Sequence, residues 1–145
     1  MYFSTNNHIE FLLKFHFYIA FLLILFFIIG SIYVFYVKIK GTSFFLDKIL
    51  FFLMGIIMSV QVIIGFLLMS SFLLKNNISV IEILKQQNKR YQLIEHPIMM
   101  IIGFFLFILS YIEFNKKGKI TNKAAFLFIL SLFAIFIRFP FHLLI

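Results

Sequence analysis

The sequence predicts an all-α fold, an integral membrane four-helix bundle whose helices run in up-down-up-down order. Of its 145 residues, 63% are hydrophobic and 12% are charged, against about 45–50% and about 25% in soluble domains. The apolar residues form four stretches joined mostly by short polar segments, and short connections favour antiparallel neighbours. A soluble fold of this size could not cover so much apolar surface. The composition therefore excludes a free cytoplasmic enzyme.

The first two spanning helices are predicted from long uncharged runs. Residues 15–37 and residues 49–74 contain no Lys, Arg, Asp or Glu. An α-helix needs about 20 residues to cross the hydrocarbon core of a bilayer. We therefore place spans at about 13–37 and 49–73. The first run is too long for the apolar core of a signal peptide and lacks a preceding basic segment, so we interpret it as a permanent helix.

The third and fourth spans are shorter or interrupted. The uncharged run 96–112 becomes long enough when its apolar neighbours extend it to about 94–114. The last run, 124–145, contains one charged residue, Arg138. A charge near a helix end is tolerated because its side chain reaches the membrane surface.

The connection between the second and third spans is the longest. Val80, Ile81 and Leu84 share one helical face there, with charged residues elsewhere. This pattern predicts an interfacial segment at about 78–90 that lies on the membrane surface.

The charge distribution predicts the orientation. The net charge is +8, and in a membrane protein such an excess indicates loops held against an anionic membrane face rather than nucleic acid as a partner. The positive-inside rule places the two most basic short loops in the cytoplasm and both termini outside, with the chain a multi-pass protein of the bacterial inner membrane. Those loops contain seven lysines: Lys38, Lys40, Lys48, Lys116, Lys117, Lys119 and Lys123.

Several kinds of chemistry are excluded by residue type. The sequence has no Cys, so disulfides, thiolate metal sites and iron–sulfur clusters are ruled out. It has no nucleophile–base arrangement, glycine-rich phosphate loop or carboxylate pair at credible spacing. An electron-transfer or accessory subunit is therefore favoured over a stand-alone enzyme.

The ionisable residues of the spans gather at the predicted outer end. Such residues usually face the bundle interior or a cavity, because lipid cannot solvate them. We expect Arg138 to pair with Glu95, whereas Lys14 and His142 are equally consistent with simple interfacial anchors. The residues at this end are Lys14, His16, Glu95, His96, Arg138 and His142.

His16 and His96 are candidate ligands of a metal centre. Imidazole is the commonest metal ligand, and haem iron is often held between side chains of two helices. Gly103, two turns after His96, would leave room for a porphyrin edge, and Glu95 would accept the second ring N–H of a ligand histidine. The alternative is that both histidines are hydrogen-bonded structural residues and that Gly103 is a helix-packing notch.

A resemblance supports the haem interpretation. The segment from Arg90 to Met100 resembles the Arg-aromatic-x-x-Val-Glu-His-Pro-Leu-Met-Met stretch of a family of small four-helix, cytochrome-b-like integral membrane proteins of Bacteroidetes. His16, Gln61 with Gly65, and the Arg138-Phe139-Pro140-Phe141 ending also resemble that family. The resemblance implies haem b as the cofactor. The sequence departs from it at Ser59, where relatives carry a histidine two residues before the Gln, so a ligand at that position would be lost.

These observations give two functional expectations. The first is a cytochrome-b-like electron-transfer subunit with bis-His haem ligation by His16 and His96 near the outer face, with Glu95, Gly103 and Arg138 around the cofactor. The second is a non-catalytic accessory or assembly subunit without a cofactor. In both cases the expected partners are the lipid bilayer and respiratory-chain or other membrane proteins, and not nucleic acid.

Overall fold

The computed structural model describes residues 7–40, 44–76 and 79–139. All regular structure in these ranges is helical and none is strand, which confirms the all-α prediction. A π-helical turn, Tyr91–Glu95, joins the fourth helix to the fifth. The helices are α1 (Asn7–Lys40), α2 (Phe44–Asn76), α3 (Val80–Lys85), α4 (Gln87–Arg90), α5 (His96–Lys117) and α6 (Asn122–Ile137).

Three helical segments are long and apolar enough to cross a membrane. They cover residues 8–40, 45–75 and 87–117, and the first two contain the first two predicted spans. The last helix, α6, is apolar but has only 16 residues. The fourth predicted span extends to residue 145, and its final residues, 140–145, lie outside the described ranges.

The third long helix begins earlier than the sequence predicts. The predicted start of the third span, at about residue 94, lies inside a continuous helical segment that begins at Gln87. Proline has no N–H and its ring clashes with the carbonyl four residues before it. The π-helical turn accommodates Pro97, because there the His96 N–H bonds to the Tyr91 carbonyl five residues back. Pro97 therefore lies in the first turn of α5, directly after a widened turn of the same continuous helical segment.

The predicted surface segment is shorter than expected. Ser79 caps α3 by accepting a hydrogen bond from the Glu82 N–H at 3.2 Å. In this helix Ile83 is buried, while Ile81 and Leu84 are exposed. Only α3 forms a separate short helix, since α4 continues through the π-helical turn into α5.

Contacts join α1 with α2, α2 with α5, α5 with α6 and α6 with α1. The first pair is antiparallel, because Tyr33 bonds to Asp47 near one end while His16 bonds to Gln61 farther along. The Tyr33 hydroxyl donates to Asp47 at 2.9 Å, and Asp47 is fully buried. A buried carboxylate at this position was not predicted from the sequence.

An aromatic core joins α1, α2, α5 and α6. Its five phenylalanines are each at most 2% exposed. Ring centroids lie 5.1 Å apart for Phe27 and Phe128 and 4.9 Å apart for Phe51 and Phe114, within the range of favourable aromatic pairs. Phe107 contacts Phe27, Phe51 and Phe128. This core fixes the mutual positions of the helices that carry the candidate site.

Candidate functional site

The two predicted ligand histidines face each other from different helices. The ring centroids of His16, on α1, and His96, at the start of α5, lie 6.3 Å apart, and the ring planes are at 87°. Both side chains are partly buried. Two imidazoles that lie 80 positions apart in the sequence therefore meet at one end of the molecule.

His96 is held by a backbone carbonyl. Its Nδ1 lies 2.8 Å from the Arg138 carbonyl oxygen. Because a carbonyl only accepts, Nδ1 donates, and the lone pair of the neutral ring is on Nε2. A hydrogen bond of this kind fixes the tautomer of metal-ligating histidines. Glu95 or another outward carboxylate was expected to accept the second ring N–H of a ligand histidine, and for His96 the acceptor is the Arg138 carbonyl instead.

His16 is held by Gln61. The Gln61 amide nitrogen lies 3.0 Å from the His16 carbonyl oxygen and 3.3 Å from His16 Nε2. An amide nitrogen has two donors, so it can bond both, which leaves the ring proton of His16 on Nδ1. Sequence reasoning gave Gln61 an interhelical hydrogen bond, and the structure identifies its partner as His16.

Two buried polar atoms at this contact are unsatisfied. Among the described residues, neither His16 Nδ1 nor Gln61 Oε1 has a hydrogen-bond partner, and Gln61 is only 1% exposed. Buried polar groups are nearly always paired, and leaving one unpaired costs about 1–3 kcal/mol. The contact therefore contains one donor and one acceptor that a bound molecule could satisfy.

Gly65, rather than Gly103, makes space beside the histidines. A Cβ at Gly65 would lie 3.2 Å from His16 Cε1, so any larger residue there would displace the imidazole. Gly103 faces α6, where a Cβ would lie 2.8 Å from Ile135 Cγ1, and its carbonyl accepts a hydrogen bond from Ser131 at 2.7 Å. The prediction that Gly103 lies at the cofactor's edge is therefore wrong, and its packing alternative describes it better.

A cavity adjoins both histidines. It has a volume of about 420 Å³ and is formed by α1, α2 and the third long helix. Binding sites for small molecules commonly have volumes of about 300–1,000 Å³, mostly apolar walls and a few polar groups. Besides apolar side chains, its lining includes His16, Gln61, Gly65, Tyr91, Gln92 and His96.

An ion network lies beside the cavity. Glu95 Oε2 is 3.2 Å from the Arg138 guanidinium, which confirms the expected pair, and Glu95 Oε1 is 2.9 Å from Arg90 Nε. Arg138 also lies over the Tyr91 ring, 5.7 Å from its centroid, and the Tyr91 hydroxyl donates to the Phe139 carbonyl at 3.2 Å. Neither Glu95 nor the two arginines line the cavity.

Two of the remaining residues singled out in the sequence, Ser59 and Lys14, form their bonds within their own helices, although Lys14 also lines the cavity. Ser59 donates to the Gly55 carbonyl of its own helix at 2.8 Å and does not line the cavity. Lys14 forms an exposed pair with Glu10 at 2.7 Å. His142 lies outside the described residues.

Two imidazoles are the metal-ligating side chains at this contact. Within the described ranges, no group of three or more His, Asp or Glu side chains could hold a metal. Haem iron brings four nitrogen donors of its own and needs only axial ligands from the protein. His96 offers a free Nε2 for this purpose, whereas His16 would have to release its bond to the Gln61 amide before its Nε2 could bind iron.

No family model, curated protein or solved structure matches this chain. The site is therefore interpreted from its own geometry.

Proposed function

We propose that the chain is an integral membrane protein built as a four-helix up-down-up-down bundle of α1, α2, α4–α5 and α6. Only 33%, 28% and 28% of the residues in the most apolar windows of the three long helices are buried inside the molecule. The rest of each helix presents large apolar side chains outward, among them Phe21, Ile32, Phe52, Ile63 and Phe105. Such a surface is stable in lipid and aggregates in water.

We further propose a multi-pass arrangement in the bacterial inner membrane with both termini outside. The support is the placement of seven lysines in the α1–α2 and α5–α6 connections and at their flanks, which the positive-inside rule assigns to the cytoplasm.

Single cysteines test this orientation, because the natural chain contains none. Asn88 and Asn115 are both exposed and lie on opposite predicted sides. In intact spheroplasts, a membrane-impermeant maleimide is expected to label the Asn88→Cys variant and to label Asn115→Cys only after the membrane is permeabilised. The reverse labelling pattern would invert the proposed orientation, and labelling of both variants in intact cells would contradict the spanning arrangement.

We propose that the site binds haem b, with His16 and His96 as axial ligands. The observation that carries this proposal is the pair of facing imidazoles, 6.3 Å between ring centroids, at the edge of the cavity. With metal–nitrogen bonds of about 2 Å on both sides of an iron, two ligand rings would have centroids about 6 Å apart. The resemblance of residues 90–100 to cytochrome-b-like proteins supports the same assignment.

The proposed role is transfer of single electrons near the outer membrane face. The haem would supply the one-electron chemistry, and the protein would set its potential through ligation and burial. The Arg138 carbonyl would orient His96, Gly65 would leave the space that His16 needs, and the Glu95–Arg138 pair would hold the end of α6 against the third helix. Ser59 is not required, because it does not line the cavity.

Haem reconstitution of the detergent-purified protein tests this function. One equivalent of haem is expected to give a six-coordinate b-type spectrum whose reduced-minus-oxidised difference titrates to a stoichiometry of one. The matched control is the Gly65→Leu variant, in which the added side chain fills the space beside His16. A wild-type spectrum identical to that of free haem in detergent would refute haem binding.

A second candidate is a non-catalytic accessory subunit of a membrane complex. It is favoured by one observation: the Gln61 amide nitrogen lies within hydrogen-bond distance of His16 Nε2. His16 therefore takes part in a hydrogen bond that joins α1 and α2. Respiratory-chain or other membrane proteins would be the partners. Under this function the purified protein binds no haem, and substitution of His16 or His96 lowers stability without removing the protein from its complex.

A further inference from the structure

The walls of the cavity carry one formal charge. Of the described residues that line it, Lys14 alone is a lysine, arginine, aspartate or glutamate. The Lys14 side chain is 66% exposed, so its ammonium lies at the solvent side while its stem contributes to the wall. A ligand seated in this cavity therefore meets a single cation, at its mouth.

The neighbouring cations are already paired. Arg138 and Arg90 both bond to the Glu95 carboxylate, at 3.2 Å and 2.9 Å, and neither lines the cavity. The sequence predicted that Arg138 lies around the cofactor and pairs with Glu95. The structure shows the pair and does not place Arg138 in the cavity lining, so Arg138 is not the cation that a ligand in the cavity meets.

Lys14 has a partner that it can exchange. Its bond to Glu10 joins residues four apart on α1, with side chains 66% and 53% exposed. Exposed pairs of this kind contribute little to stability, since water solvates both groups well. Lys14 can therefore exchange the Glu10 carboxylate for a ligand carboxylate at the cavity mouth with little loss of folding stability.

We infer that Lys14 is the carboxylate-binding residue of this cavity and orients an apolar macrocycle with its acidic groups toward water. The inference rests on the proposed function, because haem b is a flat apolar ring with two propionate carboxylates at one edge. Those carboxylates cannot enter the apolar interior without losing their hydration. An ammonium at the mouth stabilises the orientation in which they stay outside and the iron lies between the imidazoles.

The test compares two ligands in two variants. Haem and haem dimethyl ester, which lacks free carboxylates, are titrated into the wild type, Lys14→Gln and Lys85→Gln. Lys85 is an exposed lysine of α3 on the same predicted side and does not line the cavity, so it controls for the loss of one positive charge. The readouts are the dissociation constant and the midpoint potential.

Lys14→Gln is expected to weaken haem binding about three- to tenfold, the range for a partly exposed charge-assisted contact. It should leave binding of the dimethyl ester unchanged, and Lys85→Gln should change neither. The midpoint potential with haem should fall in Lys14→Gln, because the cation that stabilises the reduced form and compensates the carboxylate charges is lost, and it should stay constant in Lys85→Gln.

Two results would overturn the inference while the proposed function stands: unchanged haem affinity in Lys14→Gln, or equal weakening for haem and its ester. Unchanged haem affinity would indicate that Lys14 is an interfacial anchor. Equal weakening for haem and its ester would indicate that Lys14 is a packing residue. Absence of a six-coordinate spectrum in the wild type with either ligand would refute the proposed function and this inference together.

Discussion

Replacement of His96 by alanine is expected to convert the six-coordinate haem spectrum into a five-coordinate one and to weaken haem binding at least about 100-fold. The loss should exceed the 10- to 100-fold typical of residues that merely orient a ligand, because an iron–nitrogen bond is removed. His96 is also the better oriented of the two histidines, since its Nδ1 is bonded to the Arg138 carbonyl. Optical and electron paramagnetic resonance spectra of the reconstituted variant measure the change.

The control for this substitution is His8→Ala. His8 lies on α1, eight residues before His16, and is exposed, so its loss should change neither the spectrum nor the affinity. Circular dichroism should show equal helix content in both variants. A six-coordinate spectrum that survives in His96→Ala would remove His96 from the ligand set and contradict the proposed pair of ligand histidines.

Replacement of Gly103 by alanine is expected to destabilise the fold by about 1–3 kcal/mol, the usual cost of overpacking a buried contact. The new Cβ would lie 2.8 Å from Ile135 Cγ1 and 3.3 Å from the Ser131 carbonyl oxygen. The side chain of Ile135 and the backbone of α6 must therefore move away from α5. Unfolding in mixtures of mild detergent and dodecyl sulfate, followed by circular dichroism, measures the difference.

Gly55→Ala is the matched control, because its Cβ would meet only Phe107 Cε1, at an ordinary 3.5 Å. Both substitutions gain the same helix propensity, so the difference between them isolates the packing cost. In the double variant with Ile135→Ala, the effect of Gly103→Ala should be smaller than in the wild type, since the clashing atom is gone. Equal stability of Gly103→Ala and Gly55→Ala would contradict the close α5–α6 contact.

The sequence predicted the helices and the end at which the polar residues meet. Uncharged runs between charged residues indicate where long apolar helices lie, because a charge within such a run is costly in lipid. The placement of Glu95 and Arg138 at the ends of their runs was sufficient to predict their pairing. These predictions depend on composition and length alone.

Other features of the site depend on which helix packs against which face. Gly103 was correctly placed on one face of its helix relative to His96, but spacing does not reveal that α6 covers that face. The acceptor for His96 is a backbone carbonyl, and every residue has one, so no side-chain pattern marks it. The Gln61–His16 hydrogen bond joins residues 45 apart. The sequence feature that indicates such a bond is the isolated polar side chain of Gln61 in an apolar helix.

The π-helical turn at Tyr91–Glu95 explains a pairing that a regular helix forbids. Arg90 and Glu95 are five residues apart, and on an α-helix such residues point about 140° away from each other. The widened turn takes up one additional residue, which returns both side chains to the same side and lets Glu95 bond to Arg90 as well as Arg138. Residues 87–90 and 96–117 therefore belong to two helical wheels that are out of phase by one position.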